Sequence, residues 1–357
     1  MSNSDATKPV RPGEELNESG LRDFLRANLS IATDDLSVRQ FPAGSSNLTY
    51  LIEIGEQAFV LRRPPFGNRV KTAHDMKREF RVLSALSKVF PAAPKPFVYC
   101  AENDVIGAEF YLMERKQGVV LRGLEVPKIL SESADLQKSV CAAFVDNLAA
   151  LHNLDYNAAG LGDLGKPDGY VARQTSGWIE RYQKAQTDKH SELEIVIKWL
   201  DSNVPADTGN AALVHNDYKF DNIMLDETDL TRVVALLDWE MATVGEPLMD
   251  LGTTLGYWMD AREAPKFLLK MPFNPRILME NFTRREIAER YAAQTGADLS
   301  NLLFYYVFGT FKIAVIAQQI YFRYQTGKTS DARFANFNQF VNALGGIAAR
   351  ALETGKI

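Results

Sequence analysis

Two cysteines in 357 residues, Cys100 and Cys141, share no C-x-x-C spacing. That excludes a disulfide-stapled scaffold, a dithiol redox centre and a thiolate zinc site, and both read as small core residues of a reducing compartment. Histidine is almost as scarce, at four, and neither His74 nor His190 has a neighbour at metal-ligand spacing. His152, ending a helical pattern, reads as a capping or packing residue. The N-terminal MSNSDATKPVRPGEE is polar and lacks the apolar run of a secretory signal. The most apolar stretch, Leu302 to Ile320, is broken by Lys312 and by Gln318-Gln319. A bilayer span needs about 20 mostly apolar residues, so this stretch reads as a buried helix and no membrane is expected as a partner. No basic run is interleaved with aromatics, so nucleic acid is not an expected partner either. With 46% hydrophobic and 24% charged residues the chain is of ordinary globular composition, and its expected location is cytoplasmic.

What is present has two textures. After a polar head (1–12) expected to be disordered and a helical spacing over Glu18–Leu29, the pattern changes to alternation at Leu36–Phe41, Leu48–Ile54 and Ala58–Arg62. A helix over His74–Phe90 follows, then short strands near Phe97–Cys100 and Glu109–Met113. From there helices dominate: Ser133–Asn153, Tyr170–Gln186, Ser191–Leu200, Leu248–Met259, Thr283–Thr295, Leu299–Tyr324 and Arg333–Ala351. The exception is a strand pair, Ile223–Leu225 and Val233–Leu237. This predicts an α+β chain of two lobes, an antiparallel β-sheet N-lobe over 13–114 and a mainly helical C-lobe over 115–357.

The chemistry concentrates in Val214-His215-Asn216-Asp217-Tyr218-Lys219-Phe220-Asp221-Asn222, an H-x-D-x-x-x-x-N motif. Sixteen residues beyond Asn222, an apolar strand pattern ends in Asp238-Trp239-Glu240. Phosphoryl-transfer enzymes of the kinase fold use this arrangement to hold a base and magnesium. Asp217 is the candidate base for an attacking hydroxyl. Asn222 and Asp238 are candidate oxygen ligands for Mg²⁺, a hard cation that retains waters and nucleotide phosphates. A tight connection between the two strands would bring Asn222 and Asp238 to one end of a ribbon. Arg62 and Arg63 close the third strand, and alternation lets only one of them face a nucleotide.

On these segments, with Phe59–Pro65, Arg78-Glu79-Phe80, Phe110–Glu114 and Gly245–Leu251, the sequence resembles the aminoglycoside phosphotransferase and choline kinase-like family. Within it, the chain is similar to the branch also found fused to acyl-CoA dehydrogenases. The resemblance covers about residues 34–330 and implies a bilobal protein-kinase-like fold, with ATP and Mg²⁺ as cofactors bound in a cleft. It implies that Gly44, Ser45, Ser46 and Asn47 form the phosphate-covering loop, with one glycine where protein kinases have three. It places Arg62 at the position that contacts the nucleotide phosphates, usually a lysine, with Glu79 as its orienting partner. Met113 and Glu114 fall where the adenine-binding linker runs. His215 and Asp250 support the site, Asp250 by bracing the loop that carries Asp217.

Eleven residues separate Asp238 from Asp250, too few for the activation segment on which protein kinases dock peptides. A small-molecule alcohol is therefore the expected acceptor. Residues 251–357 hold 13 Lys/Arg against 8 Asp/Glu. Arg262, Lys266, Lys270 and Arg276, with aromatics from Tyr257 to Tyr321, suggest an anionic or partly apolar acceptor such as a hydroxyacyl thioester of coenzyme A. An aminoglycoside O-phosphotransferase is the alternative, and a non-catalytic kinase-fold nucleotide-binding module is the alternative of another class.

Overall fold

The computed structural model describes residues 7–29, 31–42, 47–66, 75–123, 126–260, 262–271, 273–329 and 331–357. The first elements are α1 (Glu18–Leu29), β1 (Ser37–Gln40), β2 (Leu48–Ile54), β3 (Gln57–Arg63), α2 (Met76–Leu86), β4 (Pro96–Cys100), β5 (Phe110–Glu114) and β6 (Val119–Val120). Four helices come next: α3 (Lys128–Glu132), α4 (Ala134–His152), α5 (Tyr170–Ala185) and α6 (Ser191–Ser202). Four short strands follow, β7 (Ala212–Val214), β8 (Ile223–Leu225), β9 (Val233–Leu236) and β10 (Thr243–Gly245). The chain closes with α7 (Pro247–Tyr257), α8 (Arg276–Asn281), α9 (Arg284–Thr295), α10 (Leu302–Gln325) and α11 (Phe337–Thr354).

These elements form two compact units. The first is Met1–Val120 with Ile223–Ala242, and the second is Leu121–Asn222 with Thr243–Ile357. The hairpin of β8 and β9, which follows the helices in sequence, thus packs with the strand-rich unit.

In the first unit a five-stranded antiparallel sheet runs in the order β1-β2-β3-β5-β4. Period-two alternation sends Tyr50, Ile52, Phe59, Leu61, Phe110 and Leu112 to one face, where Leu21 and Leu25 of α1 complete a core. The amphipathic α2 packs on β4 and β5, with Phe80 against Tyr99 and Tyr111. Asp75 caps α2 by accepting the Arg78 N–H, which sets its start inside the His74–Phe90 span expected from the pattern. Of the polar head, Lys8 pairs with Gln40 through two backbone hydrogen bonds, and the Arg11 N–H donates to the Gln40 side chain.

In the second unit α10 is the central helix, packed on α7, α11 and α5. By length and composition it is apolar enough to cross a membrane, yet 78% of its most apolar window is buried inside the molecule. Its closest crossing is with α7, and glycine makes it possible. A Cβ on Gly252 would collide with the Tyr305 carbonyl, and one on Gly309 with the Gly252 carbonyl. Gly252→Ala should therefore lower stability by about 1–3 kcal/mol through overpacking. Gly177→Ala on α5, where nothing lies within 4 Å of the added carbon, should be neutral or stabilising. Denaturant midpoints of the two variants check the pair.

Helix ends differ from the sequence pattern by a few residues, as at α10, expected over Leu299–Tyr324. The short α3, α8, β6, β7 and β10 carry too few residues to show a period and were not expected.

Candidate active site

Strand β7 delivers the chain into His215–Asn222, and nearly every residue of this loop is tied down from the second unit. Asp250, fully buried in the first turn of α7, accepts the backbone N–H of His215 at 2.6 Å and of Asn216 at 2.9 Å. His152 Nε2 lies 3.2 Å from the same carboxylate, and its Nδ1 is 2.7 Å from the Tyr291 hydroxyl. Burial opposes the charge on Asp250, but the His152 hydrogen bond and the nearby His152, His215 and Lys312 charges hold its carboxyl below the usual range. The His215 ring folds back to accept the Asp217 N–H at 3.3 Å. Tyr218 donates to the Phe144 carbonyl at 2.7 Å, and Phe220 N–H to the Asn274 side chain at 3.0 Å. Arg122 forms an ion pair with Asp221.

This scaffold presents one carboxylate. Asp217 Oδ1 accepts the Tyr257 hydroxyl at 2.8 Å, while Oδ2 accepts Asn222 Nδ2 at 3.0 Å and the Lys219 ammonium. Asn222 Nδ2 also donates to the Asp217 carbonyl at 2.9 Å. With its nitrogen turned to Asp217, Asn222 keeps its oxygen as the atom suited to a hard cation. Burial and the Asp217 charge push the Tyr257 phenol well above its ordinary pKa, so it remains a donor.

The first unit holds a second cluster. Arg62, 8% exposed at the end of β3, forms an ion pair through Nη1 with Glu79 at 3.1 Å and donates Nη2 to Asp238 at 2.8 Å. Burial disfavours its charge, but Glu79 and Asp238 overcome this and raise its pKa well above the ordinary value. Arg63 points to the opposite face of β3, where it donates to the Ile106 and Pro64 carbonyls and lies 3.7 Å over the Phe66 ring. The strand alternation that left two candidates open thus separates them, and only Arg62 joins the acidic pair.

Register shapes the rest. Ile223 pairs with Leu236, so the ribbon end that follows Asn222 in sequence is the end that leads to Asp238. Asn47 Nδ2 donates to Glu240 at 2.8 Å. Gly44, Ser45 and Ser46 lie outside the described residues. Met113 and Glu114 are strand residues of β5, paired with β3 on one side, and the Glu114 N–H is used by the Lys95 carbonyl at 2.8 Å. These two residues thus close β5, and the chain leaves the strand after Glu114.

Among the described residues only Asn216 and Asp238 adopt positive φ without being glycine, both at 68°. Asn and Asp tolerate this region better than other residues, and such conformations concentrate at functional sites. Here Asn216 immediately precedes Asp217, and Asp238 carries the candidate metal carboxylate.

The sequence model of the phosphotransferase enzyme family matches residues 37–293. The chain belongs to that family. The chain is 34% identical over 323 residues to acyl-CoA dehydrogenase family member 11 of Gallus gallus, covering 90% of the chain and 40% of that protein. It thus spans about two fifths of the curated relative's length. A Ralstonia eutropha structure, provisionally assigned as an aminoglycoside phosphotransferase, superposes with TM-score 0.81 at 28% identity, covering 95% of this chain and 99% of that one. Choline kinase from Cryptosporidium parvum shares the fold at TM-score 0.65 and 14% identity, covering 95% and 97%. An aminoglycoside phosphotransferase solved with ADP and hygromycin B does so at TM-score 0.59 and 15% identity, covering 93% and 98%. The α+β, protein-kinase-like fold expected from the sequence is the fold of the chain.

Two of the four clustered cations of the expected acceptor pocket are paired, and most of its aromatics are packed inside. Arg262 pairs with Asp260 and Arg276 with Glu280, and Trp258, Tyr305, Tyr306, Phe308, Phe311 and Tyr321 are buried in the core. Of those aromatics Tyr257 alone is bonded to Asp217. Lys219, His152 and Lys312 also touch the loop or its brace, and the motif pattern gave none of them a role. One signal did exist for Lys312, since a lysine inside a buried apolar helix needs a partner.

Proposed function

We propose that this phosphotransferase is an ATP-dependent small-molecule kinase that moves the γ-phosphoryl group to an alcohol hydroxyl. The observation that carries it is Asp217: a carboxylate fixed at both oxygens on a loop whose own backbone is braced by Asp250. Asp217 accepts the hydroxyl proton as the oxygen attacks phosphorus. Lys219 and Tyr257 hold the carboxylate's orientation before the substrate arrives, which lowers the cost of reaching an attacking geometry. On the first unit, Arg62 contacts the nucleotide phosphates through its planar fork, and Glu79 fixes that fork. Gly44 to Asn47 cover the phosphates. Asn222 of the second unit and Asp238 of the first would each offer a hard oxygen of the kind Mg²⁺ takes in small number from protein, and that ion would neutralise phosphate charge.

ATP as donor is supported by the structural neighbour that holds ADP, and small hydroxyl acceptors by the neighbours that are named for choline and that hold hygromycin B. A hydroxyacyl thioester of coenzyme A is the acceptor we favour. The acyl-CoA dehydrogenase relatives support it; the helical lobe's charge supports it less, because Arg262 and Arg276 are paired with Asp260 and Glu280.

The test has two stages. Saturating Mg-ATP should raise the melting temperature, since a ligand at a hundred times its Kd adds roughly 2.7 kcal/mol. An ADP-release screen over hydroxyacyl-CoA thioesters, choline-like alcohols and aminoglycosides should then give turnover with one class. Turnover with kanamycin alone would replace the thioester, and nucleotide binding without ADP release from any alcohol would favour a binding module.

A further inference from the structure

Lys312 sits in the middle of α10, 2% exposed, in the most apolar helix of the chain. A buried ammonium persists only where hydrogen bonds repay its lost hydration. Its Nζ donates to the Asn216 carbonyl at 2.7 Å and lies 3.5 Å from the Asn216 side-chain oxygen, with the Trp178 ring centre 5.6 Å away. That carbonyl belongs to the peptide whose N–H is Asp217's own. Asn216 is thus gripped from two helices, its N–H by Asp250 of α7 and its C=O by Lys312 of α10, while its φ is held at 68°.

Resting on the phosphotransfer reading above, we propose that Lys312 is a positioning residue, whose ammonium fixes the Asn216–Asp217 peptide and thereby aims the Asp217 carboxylate. A charge-assisted bond to the carbonyl is about twice as strong as a neutral one. The grip therefore depends on the proton that Lys312 carries. Charged groups from three elements act on it: Asp250 of α7 and Asp217 of the loop favour the ammonium, while Lys219 of the loop and Arg181 of α5 oppose it. Burial outweighs these and lowers the Lys312 pKa to about 8.

Lys312→Met removes the charge and keeps most of the side-chain volume. It should lower kcat by about 10- to 100-fold, as a displacement of about 1 Å does, with the KM for Mg-ATP unchanged. Wild-type kcat should fall as pH rises through about 8, and that limb should be absent from the variant. Since the folded state holds this lysine's proton less tightly than the unfolded chain, its charge opposes folding below pH 8. The variant should accordingly melt no lower than wild type at pH 7. Wild-type kcat and an intact pH limb in Lys312→Met would overturn the proposal. Hydrogen-exchange protection factors decide it without turnover: in wild type, the Asn216 and Asp217 amides should lose protection between pH 7 and 9.5. Constant protection over that range would overturn the role of Lys312 even if no acceptor is found. Lost protection without ADP release from any alcohol would instead leave Lys312 standing and sink the phosphotransfer reading.

Discussion

Asp217→Ala is expected to lower turnover by about 10²- to 10⁴-fold, the range for removal of a positioned acid–base group. Stability should change little, because the Asp217 side chain is 18% exposed, so the space it leaves opens to water. The thermal shift with Mg-ATP should survive, because Arg62, Glu79 and Asp238 are unaltered. Asp217→Asn separates geometry from basicity: it can still accept from Tyr257 at one oxygen, yet it cannot take a proton at neutral pH. Both variants should therefore fail in turnover and pass in folding. Full turnover in either would remove Asp217 as the base.

Asp250→Ala should act in the opposite sense, on the fold first. The carboxylate is wholly buried and serves the N–H groups of His215 and Asn216 together with His152. Removing it strands three polar groups in the interior, and breaking a buried charged pair costs roughly 3–5 kcal/mol. Urea unfolding should show that loss, and a change below about 1 kcal/mol would refute the brace. The pH dependence has a definite sign. Asp250 is held below its unfolded pKa, so its stabilisation is complete above about pH 4 and is lost as pH falls through the folded value. Asp250→Asn should lack that component of the acid unfolding curve.

The grouping of His215, Asp217 and Asn222 was legible because these residues are local in sequence, within one turn-sized loop. The five-stranded sheet was legible because period-two alternation sorts its two faces without reference to anything distant. Arg62 and Arg63 could not be ranked by alternation alone, since either phase satisfies the pattern; the choice depends on which face α1 covers. Tyr257 and Lys312 reach Asp217 and Asn216 from 40 and 96 residues away, and no spacing rule spans such distances. The charge count misled at Arg262 and Arg276 because composition does not see that the first has a carboxylate two residues before it and the second one four residues after. That Met113 and Glu114 end a strand paired with β3 is likewise a matter of sheet register, which composition does not carry.

The glycine crossing of α7 and α10 has a consequence for how this family can vary. Asp250 lies two residues before Gly252, and Lys312 three residues after Gly309. The anionic and cationic ends that pull on Asn216 are thus mounted on opposite jaws of one vice, whose gap is set by two missing methyl groups. Opening that gap by the thickness of a side chain would part the jaws around a loop they grip at a single residue. Such a change should register in stability, as expected for Gly252→Ala, and, on the proposed function, in turnover as well, since Asp250 and Lys312 would both shift against Asn216.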